Sequence, residues 1–300
     1  MRIPYLTIII LLLGQVFLVS CEQIRFLEID EKDPSLVLNG IMSPGLGLWV
    51  NISESTGATT PTANSYTPVL DAVVEIFQDD TLVTSVVENE SGNYYTTDFH
   101  PLEGLSYQVE VRSYGLPPVR ASLTIPPRVE ITALDTTVVR IPDQSAYGSY
   151  ARGETIFYTD IAFVDPPETG NHYMVGAYYY KNDQYFPLSL ELEDLDADIY
   201  ILDGINVIAY KDEGFNGGRK TVRASFRLNE PEGFQTVVLL RLNSIEEAYF
   251  DYMKSYSQNF TILNEDKILY EPVLVSSNIE DGFGIISAVS HSSVLFTYEF

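Results

Sequence analysis

The residues that could carry out chemistry are few and far apart in the chain. Its histidines are His100, His172 and His291. A serine hydrolase needs a serine hydroxyl activated by a histidine that an acid orients, and no serine here lies in a G-x-S-x-G motif. The histidines also lack an H-E-x-x-H motif and the spacing of zinc ligands. We therefore expect no catalysis. An unrecognised hydrolase would start from His172 and His291, which lie near Asp165 and Ser292 in sequence.

A run of acidic residues between positions 191 and 203 raises the question of a calcium site. Asp194, Asp196 and Asp198 have the 1-3-5 spacing of an EF-hand loop. The sixth position of that loop is Ile199 where glycine is required, and the twelfth is Ile205 where glutamate is required. An EF-hand is thus excluded, and a looser calcium site on the three aspartates is the alternative to a solvated acidic loop. No cofactor is predicted.

Tyrosine is abundant, with 21 residues in 300. A tyrosine ring has a flat apolar face and a polar tip, so exposed tyrosines could form a platform for a glycan or a peptide. Tyrosine is also a favoured strand residue on half-buried faces. The run Tyr178-Tyr179-Tyr180 must point to both faces of a strand, so at least one of these rings is expected in a core.

The first twenty residues indicate export. A basic start, Met1-Arg2, precedes an apolar run over positions 3–17 that is too short for a stable membrane span. The run ends in Leu18-Val19-Ser20-Cys21, which resembles the bacterial lipobox. The resemblance implies cleavage before Cys21 and acylation of that cysteine, so the mature chain would be anchored by lipid at Cys21. An ordinary signal peptide with Cys21 as a spare thiol is the alternative.

Charge and length exclude other classes of protein. With 17 Lys and Arg against 42 Asp and Glu, the formal net charge is −25. Phosphate backbones would repel such a chain, so nucleic-acid binding is not expected. A content of 45% hydrophobic residues is ample for packed cores. A single cysteine excludes a disulfide framework.

The pattern after an acidic tether over residues 21–34 predicts an all-β protein with one C-terminal helix. Alternating apolar residues between Gly, Pro, Asn and Asp turns predict an Ig-like or prealbumin-like β-sandwich over residues 35–127. The doubled proline Pro126-Pro127 suits a domain boundary. A second, larger β domain is predicted over residues 128–300, including separate strands at Gly284–Val289 and Val294–Tyr298. A helix is predicted at about 244–260, where Ser244 and Glu247 have the spacing of a capping box.

Several motifs together resemble a known family. They are Val37-Leu38-Asn39-Gly40, Pro68–Ile76, Ser91–Tyr95, Phe163–Pro167 and Ser277-Asn278-Ile279-Glu280-Asp281-Gly282-Phe283-Gly284. The N-terminal ones resemble a prealbumin-like, carboxypeptidase-regulatory sandwich. The whole order resembles the Bacteroidetes lipoproteins grouped as domain of unknown function 4249. That resemblance implies an outer-membrane lipoprotein, often encoded near TonB-dependent receptors, and transfers no active-site residue.

The expected function is therefore non-catalytic binding at the outer membrane, as an accessory of a TonB-dependent uptake system. The partners would be the membrane, through the lipid anchor, and a TonB-dependent receptor, with a glycan or peptide as ligand. A surface adhesion or structural module is the first alternative, and an unrecognised glycan or peptide hydrolase is the second. Residues 21–25 lack the dense acidic cluster that would favour export to the cell surface in the bacteria that the resemblance points to. The sequence therefore does not decide between the periplasmic and the cell-surface face of the outer membrane.

Overall fold

The computed structural model describes residues 33–56, 66–86, 91–141, 154–192, 198–202, 204–264 and 273–300. The chain divides into two compact units, and one of them, Met1–Asp33 with Gly57–Thr62, lies outside the described residues except for Asp33. The fold below is that of the other unit, Pro34–Thr56 with Ala63–Phe300. The predicted leader, Cys21 and most of the tether therefore lie outside the described residues.

The described residues form nineteen strands and one helix, which confirms the predicted all-β class with a single C-terminal helix. The elements are β1 (Leu36–Ser43), β2 (Gly47–Glu54), β3 (Thr67–Pro68), β4 (Val73–Gln78), β5 (Thr81–Val86), β6 (Asn93–Tyr95), β7 (Ser106–Arg112), β8 (Val119–Thr124), β9 (Ile131–Ile141), β10 (Glu154–Val164), β11 (His172–Lys181), β12 (Gln184–Leu188), β13 (Leu190–Leu192), β14 (Asp198–Leu202), β15 (Ile205–Lys211), β16 (Arg219–Arg227), β17 (Gln235–Ile245), α1 (Glu247–Asn264), β18 (Ile279–Glu280) and β19 (Phe283–Glu299). No helix among them is long and apolar enough to cross a membrane.

One long sheet runs through the fold. Its order is β14-β15-β11-β17-β19-β1-β2-β3, with β12 paired to β11 and β6 paired to β2. Strand β19 joins the two halves of this sheet, because it pairs in parallel with β1 and antiparallel with β17. Two smaller sheets complete the fold, in the orders β18-β8-β7-β4-β5 and β13-β16-β10-β9.

Two hydrophobic cores lie on one face of the long sheet. The first core is built mostly from residues 36–125, and the second from residues 129–242 with Phe300. Alternation decides which side chains enter a core, since Val119, Ala121 and Leu123 of β8 are buried while the residues between them are exposed. Ile279, Ile286 and Ala288 return from the end of the chain into the first core. The proposed domain boundary at Pro126-Pro127 falls between the two cores in sequence and stays a prediction.

Strand β19 is continuous where the sequence pattern predicted two strands, and that prediction was wrong. The polar residues Ser290–Ser293 looked like a break, yet they pair residue by residue with β17. They lie between the part of β19 that faces the first core and the part that faces the second. Ser292 uses its Oγ to accept a hydrogen bond from the Ile131 N–H at 3.0 Å, so this hydroxyl joins the long sheet to β9.

The helix α1 covers the opposite face of the long sheet. Phe250 and Met253 are buried there against Ile245 and Val289 of the sheet. The helix begins at Glu247, so the predicted capping box at Ser244 was wrong. Ser244 is still in β17, and the carbonyl oxygen of Glu246 accepts hydrogen bonds from the N–H groups of Tyr249 and Phe250.

The stretch Ser277–Gly284 forms a corner that joins β18 and β19 to the rest of the fold. The Asn278 side chain donates to the Ile286 carbonyl at 2.8 Å and accepts from the Ile286 N–H at 3.1 Å. Gly284 has φ +96, and a Cβ there would overlap the Leu38 carbonyl oxygen of β1. Only glycine suits both the backbone angle and the close approach of β1. This stretch, the most specific part of the family resemblance, therefore stabilises the junction between β1, β18 and β19.

Candidate functional site

A cleft of about 320 Å³ lies where the loop after β8, the loop before β11 and the start of α1 meet. Pro126 and Pro127 form one wall, Gly170 and Asn171 another, and residues 244–248 the third. One histidine, His172, and one serine, Ser244, line the cleft. This is the place in the described fold where a catalytic pair would be sought.

His172 and Ser244 lie on opposite faces of the long sheet. Tyr173 and Ser244 are directly opposite each other on β11 and β17, and Tyr173 is part of the second core. Since neighbouring residues in a strand point to opposite faces, His172 points the other way. Its ring packs on Phe250 of α1, with centroids 5.1 Å apart. The serine hydroxyl and the imidazole are therefore not placed as nucleophile and base.

The environment of His172 disfavours the charged form of its imidazole. The side chain is buried, and Nε2 has no hydrogen-bond partner among the described residues. Burial lowers the pKa of His172, the nearby Lys211 lowers it further, and Glu247 opposes the shift. A neutral imidazole on an aromatic ring in this setting packs as a core residue.

The buried carboxylates beside the cleft are engaged in the fold. Asp165 accepts hydrogen bonds from the Tyr173 hydroxyl and, at 2.8 Å, from the Gly217 N–H. Asp212 accepts from the N–H groups of Gly170 and Asn171 at 2.8 and 3.0 Å. Each aspartate thus holds a loop by its backbone donors, and Asp165 is bonded to a tyrosine instead of a histidine. Burial, and then the hydrogen bond to Asp165, raise the pKa of Tyr173.

Glu246 is the titratable group at the seam between the two cores. Its carboxylate accepts a hydrogen bond from the Thr124 N–H of β8. Burial raises the pKa of Glu246 to about 7, while backbone hydrogen bonds from Thr124 and Ala288 oppose the shift. The side chain therefore connects β8, β19 and the start of α1.

The other residues named from the sequence are dispersed. His291 is opposite Asn243 and Ser292 is opposite Leu242, so these neighbours also point to different faces. His100 is exposed in a loop. Asp198 is exposed at the start of β14, where it accepts a hydrogen bond from the Tyr200 hydroxyl at 3.1 Å. Asp194 and Asp196 lie outside the described residues, as does Cys21, and no group of metal ligands is found within the described ones.

A second depression, of about 610 Å³, lies on the outer face of β1, β2 and β6. We call it the Trp49 groove, and it is lined by Val37, Asn39, Trp49, Asn51, Ser53, Glu54, Ser55, Thr56, Tyr66 and Asn93. Leu48, Val50 and Ile52 of β2 are fully buried in the first core, so Trp49 and Asn51 point away from it. Trp49, the only tryptophan of the chain, is 43% exposed, and Tyr66 is 60% exposed.

Three asparagines form a row across the floor of the Trp49 groove. Asn39 of β1 is opposite Asn51 of β2, and Asn51 is opposite Asn93 of β6. The Asn51 Nδ2 donates to the Asn93 Oδ1 at 3.1 Å. A second row runs beside it, in which Trp49 lies between Ile41 and Tyr95. Ile41 packs against the cluster beneath α1, so the groove begins where the cover of the helix ends.

Sequence reasoning missed the Trp49 groove because it missed β2. The residues of β2 alternate correctly, with Leu48, Val50 and Ile52 as the buried set. This signal was available, but the surrounding Gly, Ser and Asn residues look like a loop. The row of asparagines had no sequence signal, since its members are brought together only by strand pairing.

Comparisons with known proteins identify a family and distant structural neighbours. The model of the family described as Domain of unknown function (DUF4249) matches residues 24–294. No curated protein sequence matches the chain.

Three solved structures illustrate the neighbours. AggA, the major subunit of aggregative adherence fimbriae type I of Escherichia coli, is 12% identical over 56% of this chain and 93% of that one, with a TM-score of 0.25. BcpA, the major pilin subunit of Bacillus cereus, is 10% identical over 72% and 65%, with a TM-score of 0.21. The collagen-binding domain of the surface protein RspB of Erysipelothrix rhusiopathiae is 8% identical over 88% and 96%, with a TM-score of 0.17. At these TM-scores the likeness carries no inference about function.

Proposed function

The chain belongs to the family described as a domain of unknown function (DUF4249), and from that premise we propose that it is a lipid-anchored outer-membrane protein that binds a ligand without converting it. In this proposal Cys21 carries the anchor, and the chain acts as an accessory of a TonB-dependent uptake system. The lipobox-like residues 18–21 support the anchor, and the resemblance stated above supports the uptake role.

The Trp49 groove is the observation that carries the binding role. Large aromatic side chains supply much of the contact energy of binding surfaces. Here an indole and a phenol line a depression that also holds three amides. A concave site with aromatic walls and a few placed polar groups is the usual form of a ligand pocket.

The chemistry of the cleft supports binding over catalysis. A general base must come within hydrogen-bond reach of the proton that it takes. His172 and Ser244 lie on opposite faces of the sheet, and Asp165 and Asp212 hold loop backbone. The buried carboxylates beside the cleft are thus engaged in holding the fold. The two alternatives are a surface adhesion module and an unrecognised hydrolase. They differ from the proposal in the partner that the chain would bind and in whether it would turn over a substrate.

Capture from intact membranes tests the proposal. An epitope tag is inserted in the exposed Asn182-Asp183 turn, because the C-terminal Phe300 is buried. After chemical cross-linking of whole cells, the tagged chain is purified from outer membranes and its partners are identified by mass spectrometry. We expect the lipid-modified chain together with one TonB-dependent barrel protein.

Two results would contradict the proposal. Recovery of extracellular matrix or of copies of the same chain, with no barrel protein, would favour the adhesion module. Turnover of a glycan or peptide by the purified soluble Cys21→Ala chain would favour the hydrolase. Ser244→Ala and His172→Phe are the controls for turnover. An activity that comes from a contaminant should be the same in these variants, because the contaminant contains neither residue.

A further inference from the structure

We infer that the Trp49 groove binds a neutral carbohydrate chain that lies across strands β1, β2 and β6. The inference rests on the proposed function, since it names the class of ligand that the same groove takes. It is carried by the aromatic rings, the row of amides and the charge of the groove.

The aromatic rings of the groove suit the apolar faces of sugars. A pyranose ring has a face of C–H groups and a rim of hydroxyls, so it packs on a flat aromatic side chain while its rim meets polar groups. Trp49 and Tyr66 both line the groove and are 43% and 60% exposed. Tyr95, also 43% exposed, is directly opposite Trp49 on β6. The aromatic surface therefore extends sideways over two strands.

The amides of the groove suit the hydroxyl rim. Asn39, Asn51 and Asn93 lie on three adjacent strands in direct register, and adjacent strands are about 4.8 Å apart. Each amide carries two donor hydrogens and an acceptor oxygen, and the Asn51 amide uses one donor in its hydrogen bond to the Asn93 Oδ1. Asn39 and Asn51 thus present amide donors and acceptors on neighbouring strands, in a line perpendicular to the strands. A linear chain of hydroxyl-bearing rings matches such a line.

Charge excludes the main competing ligands. Glu54 is the only charged residue among the described residues that line the groove. The chain carries a net charge of −25, so a sulfated or carboxylated polymer would be repelled and would find no cation to pair with. A peptide that binds by strand addition would pair through its backbone with an edge strand such as β3 or β6, and would leave the aromatic and amide side chains on the face of the groove unused. A neutral ligand recognised by side chains is what remains.

The single tryptophan makes the test direct. The full-length Cys21→Ala chain is titrated with soluble dextran, laminarin and xylan, and binding is followed by the emission of Trp49. Migration in native gels that contain each polymer gives an independent measurement. We expect a blue shift with at least one neutral polymer and no effect of dextran sulfate.

Variants locate the site. Asn51→Ala and Tyr66→Ala should each weaken binding at least tenfold, and Trp49→Ala should abolish retardation in the gel. Tyr114→Ala is the matched control, because Tyr114 is 94% exposed and lies outside the groove. Its affinity should equal that of the unsubstituted chain. Tyr66→Ala keeps the test valid if Trp49→Ala fails to fold, since the tyrosine is already mostly exposed.

The outcomes separate this inference from the proposed function. If no neutral polymer binds, yet Trp49→Ala still abolishes capture of the barrel protein, the carbohydrate inference fails and the binding role stands. If Trp49 is shielded from acrylamide before any polymer is added, or if binding survives Asn51→Ala and Tyr66→Ala, the groove is not the site and the inference also fails. Loss of both polymer binding and barrel capture from the unsubstituted chain would overturn both proposals.

Discussion

Glu246 offers a test of how the two cores are joined. Its carboxylate accepts hydrogen bonds from the backbone N–H groups of Thr124 in β8 and Ala288 in β19. Its carbonyl oxygen accepts hydrogen bonds from N–H groups in the first turn of α1. The change Glu246→Gln keeps an acceptor oxygen and nearly the same shape. It removes the charge that burial disfavours and replaces the second oxygen by an NH2 group.

The magnitude follows from the shift in pKa. Burial raises the pKa of Glu246 from 4.5 to about 7. Between these two pH values the folded chain keeps a proton that the unfolded chain has released. The free energy of unfolding therefore falls as pH rises through this range and levels off above it. At about 1.4 kcal/mol per pKa unit, the full effect is at most about 3 kcal/mol.

The assay compares free energies of unfolding from urea denaturation at pH 5 and pH 8, in the soluble Cys21→Ala chain. We expect Glu246→Gln to match the unsubstituted chain at pH 5 and to be more stable at pH 8 by up to about 3 kcal/mol. The pKa values of His172 and His291 are lowered by burial. Histidines with a lowered pKa make the free energy of unfolding fall as pH falls, which is opposite to the effect of Glu246. Their contribution is the same in both chains, so it cancels when the variant is compared with the unsubstituted chain.

Glu213→Gln is the control, because it removes the same charge from an exposed turn. It should show no pH-dependent difference. If Glu246→Gln gives the same stability difference at pH 5 and pH 8, within about 0.5 kcal/mol, then Glu246 is not desolvated and the described seam is refuted. The same conclusion would follow if Glu213→Gln reproduced the effect of Glu246→Gln.

Three further predictions concern the corner, the anchor and the two cores. Gly284→Ala should cost roughly 3 kcal/mol or more of stability in urea, because it combines strain with a backbone overlap, whereas Gly104→Ala, with positive φ and open space around it, should cost only about 1 kcal/mol; equal costs would show that β1 is not close to Gly284. Cys21→Ala should move the chain from the membrane pellet to a soluble or uncleaved form, and an unmodified Cys21 in the intact mass of the mature chain would contradict lipidation. A fragment of residues 21–127 should fail to fold by circular dichroism, since it lacks the side chains that return from β18 and β19 to the first core; a cooperative melt of that fragment would show that the first core is self-sufficient.

Local alternation was enough to predict most strands. In β8 the buried set Val119, Ala121 and Leu123 is visible in the sequence, and β7 shows the same pattern. Such strands report their own burial because one face meets a core and the other meets solvent. The helix was likewise visible from its apolar spacing, although its start was placed too early. Strand β17 continues to Ile245 because that side chain is buried beneath α1.

Features that depend on long-range pairing could not be predicted in this way. The polar residues Ser290–Ser293 stay within β19 because β17 pairs with them along their whole length. Nothing in those four residues says so. The Trp49 groove needs residues from positions 39, 49, 66 and 93, which three separate strand pairings bring together. The candidate histidines chosen from sequence, His172 and His291, were instead placed on the face under α1, with Ser244 and Ser292 on the other face of the sheet.

The residues of the corner and the residues that line the groove have different tasks. Within the family-like stretch Ser277–Gly284, Asn278 bonds both backbone groups of Ile286 and Gly284 admits β1. These contacts fix the parallel pair of β1 and β19. The groove rests on Asn51, Trp49 and Tyr66, which lie outside that stretch and project from the opposite face. Changing those three side chains would leave the backbone pairing of β1, β2 and β19 intact, because their own side chains face away from the first core. It follows that substitutions at Trp49, Asn51 and Tyr66 test binding separately from the corner that joins β1 and β19.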